Sequence, residues 1–249
     1  MNQTKPWLGV DVRLPELLSR YGGRDDSFSF ISNQLADCFD LCWYGPETAP
    51  VLNRLAGLIY VERSPHDEVQ GPVPLLPYMK WGGLDDQRQC ENFFERVFAY
   101  QRWHLMLGDR ADCQAFIEFH RRHKLMLMAR GQVYYRELGR MVAGVTAQTL
   151  TDRRSAYIAR FMQVMAQLSA RGQHVNVLQH ILGYFKHLLS GDEKRFLLAE
   201  FEAYRDGHST LSSSLALIRE LLPRHPQDYI ADQHYLEPFP SALRAFSQQ

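Results

Sequence analysis

The chain has 249 residues, 45% of them hydrophobic and 22% charged, and its 28 basic residues balance its 28 acidic ones. Such a composition excludes a disordered chain and a uniformly basic nucleic-acid binder. No apolar run approaches the ~18 residues of a membrane span, and residues 1–10 lack the basic-then-apolar order of a signal peptide, so a cytoplasmic protein with no membrane partner is expected.

The balance hides an asymmetry. Residues 1–91 hold 8 Lys and Arg against 13 Asp and Glu, whereas residues 92–249 hold 20 against 15 and nine of the ten histidines. Asymmetry of this kind points to a nucleic-acid-facing region joined to an acidic one, which is itself a candidate docking surface for a protein partner.

In chain order, Leu8-Gly9-Val10, Asp40-Leu41-Cys42-Trp43-Tyr44 and Leu58-Ile59-Tyr60-Val61 are short, strand-like apolar runs. Residues 28–39 have helical spacing, and turn residues (Gly22-Gly23, Gly45-Pro46, Ser64-Pro65) lie between or after these runs. Strands alternating with a helix favour a small parallel sheet. Residues 71–83, rich in Pro and Gly, read as a boundary loop, so the domains are drawn as 1–83 and 84–249.

From about Gln89 the chain reads as helical. One helix spans 91–108; the next starts at Asp109 or Asp112 and runs to Gly131, and a short one continues to Gly144. Further helices start at Thr151-Asp152, run over 173–189, run over 192–206 with Gly207 as the stop, and run over 211–222, stopping before Pro223. A short helical stretch around Ile230 precedes Glu237-Pro238-Phe239-Pro240. The expected fold class is α+β: a small α/β part followed by a mainly helical domain of six or seven helices.

Two constellations carry chemistry. Residues 120–143 gather His120, Arg121, Arg122, His123, Lys124, Arg130, Arg136 and Arg140 with Tyr134 and Tyr135, and Glu137 is their one carboxylate. Lys and Arg neutralise phosphates, and tyrosines offer flat faces to unstacked bases. The second is Asn176, His180, Tyr184 and His187, which helical spacing puts on one stripe opposite an apolar one; Gly183 leaves room for a ligand beside Tyr184. The candidate RNA-binding set is His120, Arg121, His123, Lys124, Arg130, Tyr134, Tyr135, Arg136, Asn176, His180, Tyr184 and His187. His120 and His123 bring no carboxylate at a matching offset, so no metal site is expected. Cys38, Cys42, Cys90 and Cys113 form no CxxC and read as free, mostly buried thiols. No GxGxxG, Walker loop, GxSxG or HExxH occurs.

The stretches FHRRHKLMLMARGQVYYRELGRMVA (119–143), NVLQHILGYFKHLLSGDEKRFLLAEFEAYRDG (176–207) and YIADQHYLEPFP (229–240) resemble the YbgA-like family, over residues ~92–243. The family is a domain of unknown function that in many bacteria follows an iron–sulfur desulfidase domain of the thiouracil-desulfidase (TudS-like) type. Such fusions resemble enzymes that remove sulfur from 4-thiouridine in RNA, the YbgA-like part helping to bind tRNA, and the domain travels genetically with DNA photolyase.

The first part of this chain resembles a degenerate TudS-like domain. It keeps Arg20-Tyr21-Gly22-Gly23, Pro46-Glu47 and Arg63-Ser64-Pro65, but Arg13, Gly45 and Asp67 stand at the three cysteine positions. A [4Fe–4S] cluster needs thiolates, so the resemblance implies a protein without that cofactor and leaning away from catalysis. The resulting expectation is a non-catalytic or accessory RNA-binding protein, with tRNA, 4-thiouridine-containing tRNA included, as partner. The alternatives are an enzyme acting on thiolated or damaged bases through His120, His123, His180 and Tyr184, or an interaction module for a desulfidase or photolyase.

Overall fold

The computed structural model describes residues 5–11, 35–44, 55–60, 75–80, 86–109 and 112–246. Within them the chain is α+β: a small parallel sheet precedes a mainly helical region. The chain divides into two compact units, residues 1–110 with 238–249, and residues 111–237.

In the first unit, strands β1 (Trp7–Asp11), β2 (Asp40–Tyr44), β3 (Leu55–Tyr60) and β4 (Tyr78–Lys80) form a sheet in the order β2-β1-β3-β4. Every pairing is parallel. Five successive residues of β3, from Leu55 to Ile59, are buried, as expected of a strand covered on both faces. A bulge at Ala56 shifts the register, so Trp7 faces Leu55 while Leu8 faces Gly57.

Helix α1 (Gln87–Asp109) packs on this sheet. Cys90, Phe93, Phe94, Val97 and Phe98 recur at helical spacing and join Leu8, Phe39, Ile59 and Met79 in one core. Gly57 lets the helix come close, since a Cβ there would lie 2.5 Å from Val97 Cγ2. The chain returns at its end: Phe239 packs on Phe94 (centroids 5.8 Å apart), and Leu243 of α9 (Ala242–Phe246) completes the core.

The structure departs from the sequence reading in this unit. Tyr78–Lys80, inside the expected boundary loop, is a strand held by parallel pairing to β3. Helix α1 shares its apolar stripe with the sheet, so the compact units part near Arg110 and not at residue 83. The remnants Arg20–Gly23, Pro46-Glu47 and Arg63–Pro65, with Arg13, Gly45 and Asp67, lie outside the described residues. So do Val61 and residues 28–34 of the expected helix, whose residues 35–38 are helical.

The second unit is helical: α2 (Cys113–Arg130), α3 (Gln132–Val142), α4 (Leu150–Met165), α5 (Arg171–Tyr184), α6 (Gly191–Asp206), α7 (Leu211–Arg224) and α8 (Asp228–Ala231). Local chemistry sets the ends. Asp112 accepts a hydrogen bond from Ala115 N (2.8 Å) at the start of α2, and Gly131, at φ 141°, ends it. Ser190 and Glu193 form a capping box for α6, which stops at Gly207 in the left-handed region.

Helix α2 is the centre of this unit, packing against α3, α4 and α5. Its run Leu125–Arg130 is wholly buried. Helix α7 continues past Pro223 to Arg224, because His225 N still bonds to Leu221 O (2.8 Å) and the proline forfeits one ladder bond in the last turn. Helix α5 ends at Tyr184, where Phe185 N turns back to Leu182 O (3.0 Å). Among the described residues no helix is long and apolar enough to cross a membrane.

Candidate functional site

The basic stretch does not form one exposed surface. His120, His123 and Arg130 are buried. His120 Nδ1 pairs with the Tyr157 hydroxyl at 3.0 Å, and burial, with Lys124 nearby, pushes its pKa down to about 4. It is therefore neutral at physiological pH and does not neutralise phosphate. His123 Nδ1 donates to Phe119 O at 2.7 Å, and its ring packs on Phe161 and His234. The apolar run and these residues together make α2 a core helix, which corrects the reading of His120, His123 and Arg130 as RNA contacts. His180 and Tyr184 are exposed, so the four residues of the enzymatic alternative do not share one solvent-open site.

The remaining residues are placed differently. Arg121 is half-buried and held by two carboxylates: its Nε and Nη2 donate to Glu118 (2.6 and 2.7 Å), and Nη2 also donates to Asp232 (2.5 Å). Arg122 donates to the same Glu118 (2.6 Å), and the two guanidiniums hold that carboxyl at about 2. Lys124 is half-buried and Arg136 exposed. Tyr134 lies under the Arg160 guanidinium (5.4 Å), which is clamped by Glu137, and its hydroxyl accepts a bond from Gln167. Asn176 and His180 are exposed on α5; His187, also exposed, lies in the turn beyond the helix, not on its stripe.

What joins the two constellations is the segment 228–236. Tyr229 stacks on Tyr184 with centroids 5.5 Å apart and planes at 29°, and His180 meets Tyr184 at 5.6 Å and 77°. Burial, reinforced by the neighbouring hydroxyls of Tyr184 and Tyr135 and opposed by Arg121, pushes the Tyr229 pKa up to about 12. Tyr184 from α5 and Tyr229 from α8 thus share one corner; Arg121 of α2 reaches it through Asp232, and Tyr135 of α3 is close enough to act on the Tyr229 hydroxyl. Tyr229 and Asp232 were not singled out as site residues from the sequence; their signal is the stretch YIADQHYLEPFP, read only as a family signature.

The same segment is pinned to α2. Gln233, 2% exposed, donates from Nε2 to Arg121 O (2.9 Å) and accepts at Oε1 from Leu125 N (3.3 Å). Those two backbone groups are partners in a regular helix, so the amide enters the helix ladder. His234 N donates to Arg122 O (3.0 Å), and the Tyr235 hydroxyl pairs with His174 Nδ1 of α5 (2.8 Å). Gln173 Nε2 donates to Arg130 O (3.1 Å) and ties α5 to the end of α2. The corner is therefore built on backbone contacts that hold its elements in place.

Cys38 and Cys90 are buried free thiols, and Cys113 is a half-buried one; desolvation pushes the Cys90 pKa up to about 12. Among the described residues no three His, Cys, Asp or Glu side chains come together to hold a metal ion.

Comparison with known proteins places these features. Residues 124–240 match the family described as "Protein of unknown function (DUF1722)". The chain is 29% identical over 158 residues to "Uncharacterized protein YbgA" of Escherichia coli (strain K12), a match covering 63% of this chain and 94% of the relative. No solved structure matches. The matched residues take in α3 to α8 and the segment that pins α2, so the similarity to YbgA and to the DUF1722 family lies in the helical unit of this chain.

Proposed function

We propose that this chain is a non-catalytic RNA-binding protein, with tRNA as its RNA, and that the helical unit makes the contact. The observation that carries the reading is the stack of Tyr184 on Tyr229, with Tyr135 and Arg121 close enough to act electrostatically on the Tyr229 hydroxyl. Exposed His180 and Asn176 lie beside it on α5. Flat aromatic faces next to a fixed guanidinium suit nucleotides, which present a planar base and an anion together. Arg136, the residue after Tyr135, and Lys124 add positive charge for the backbone.

The first unit fits the role of a desulfidase-like scaffold that has lost its cluster. Its all-parallel sheet has its switch point between β1 and β3, and parallel sheets take ligands at the carboxyl ends of their strands. Arg13, Gly45 and Asp67 follow the ends of β1, β2 and β3 by two, one and seven residues. None of the three supplies a thiolate, so an iron–sulfur cluster has no ligand set there and no step is derived through one.

The test is fluorescence anisotropy with labelled tRNA at salt concentrations from about 50 to about 200 mM. Affinity is expected to fall linearly on a log–log plot, and Arg136→Ala and Lys124→Ala are expected to weaken binding and flatten the slope. Arg136 is the cleaner probe, because Arg121 is tied to Glu118 and Asp232. Undetectable binding at the lowest salt refutes the proposal.

A further inference from the structure

The corner at Tyr184 is smaller and more selective than a general polyanion surface. Tyr229 stacks on Tyr184, yet Tyr184 keeps 39% of its surface exposed. A Cβ built at Gly183 would meet nothing within 4 Å, which leaves the approach to this ring clear along α5. Arg121 spends Nε and both Nη2 hydrogens on Glu118 and Asp232, and Nη1 makes no hydrogen bond among the described residues. Its fork is thus aimed by two carboxylates with one amino group to spare. Arg122 offsets one of the two carboxylates, so the cluster of Glu118, Asp232, Arg121 and Arg122 carries no net charge to repel an anion.

We propose that this corner is a single-nucleotide site: it takes one unpaired nucleotide, with the base on the exposed part of Tyr184 and a phosphate oxygen on Arg121 Nη1. The inference rests on the RNA-binding reading and narrows it. A base inside a duplex has both faces covered by its neighbours and cannot stack on a side chain, whereas a base in a loop or a frayed end can. Tyr229 backs the ring and His180 meets it nearly perpendicularly, so Tyr184 is held ready and does not have to be ordered on binding.

The experiment uses the full chain and an RNA of about ten nucleotides with one 2-aminopurine, single-stranded or annealed to its complement, with tRNA in parallel. The single strand is expected to bind more tightly than the duplex and to change the 2-aminopurine emission. Tyr184→Ala is expected to weaken single-strand binding by roughly 5- to 100-fold, and Tyr184→Phe to retain it. Equal binding of single strand and duplex overturns the proposal, as does an unchanged affinity in folded Tyr184→Ala. If Tyr184→Ala binds tRNA and single strand as the parent does, this site falls while the RNA-binding reading stands; if no RNA binds at all, both fall.

Discussion

Replacing Gln233 by Glu tests whether the segment 228–236 holds the helical unit together. The Gln233 amide is 2% exposed; it donates to Arg121 O at 2.9 Å and accepts from Leu125 N at 3.3 Å. A protonated carboxyl can reproduce both bonds, but an ionised one loses the donor and turns a second anionic oxygen toward the Arg121 carbonyl. The Arg121 guanidinium offers little relief, since Glu118 and Asp232 already hold it. Burial raises such a carboxyl by about 3 units, and each unit costs about 1.4 kcal/mol, so the penalty reaches about 4 kcal/mol at high pH. The sign follows from linkage. An acid whose folded pKa is raised costs nothing extra below its unfolded pKa of about 4.3, and the cost grows as pH rises toward the folded pKa. Urea unfolding followed by circular dichroism should therefore show Gln233→Glu close to the parent near pH 4.5 and far below it near pH 8. Gln233→Met should cost about 1 kcal/mol at both pH values, because it removes the two side-chain bonds without adding a titratable group. Equal, pH-independent losses in the two variants would refute the reasoning.

Other consequences are equally direct. Gly57→Ala puts a Cβ 2.5 Å from Val97 Cγ2 and should cost about 1–3 kcal/mol; with Val97→Ala the combined loss should fall short of the sum, read from a double-mutant cycle of urea midpoints. His120, with a folded pKa of about 4, binds its proton more weakly than in the unfolded chain, so stability should drop by about 3 kcal/mol as pH falls from 6.5 to 4. Part of that pH dependence should vanish in His120→Gln, measured on matched unfolding curves. Gly183→Ala, whose Cβ enters open space, should stabilise α5 by about 0.5–1 kcal/mol, seen as a raised thermal midpoint. Cys90, with its thiol pushed up to about 12, should resist iodoacetamide at pH 8 until the chain is unfolded, as peptide mass spectrometry would read.

Much of the architecture is legible along the chain because it is written in short-range terms. Asp112 and Gly131, Ser190 and Glu193, and Gly207 mark helix ends through caps that involve neighbours only. The spacing of Cys90, Phe93, Phe94, Val97 and Phe98 announces a helix with one apolar face. Strand β4 was not legible: Tyr78–Lys80 sits among prolines and glycines, and only pairing with β3 makes it a strand.

The candidate site divides in the same way. Sequence alone supplied the chemistry, a run of basic and aromatic residues at 120–143 and the Asn176, His180, Tyr184 stripe, because residue type and helical offset are local properties. Which of those side chains meet solvent is not local. His120, His123 and Arg130 share a helix with Arg121 and Lys124, yet α3, α4 and α5 close over the former. Only the tertiary structure could bring Tyr229 and Asp232 beside Tyr184 and Arg121, across 45 and 111 residues of chain. The physical reason is that a helix has more than one buried face when it lies at the centre of its unit, and which neighbours cover it depends on packing that no periodicity along one element records.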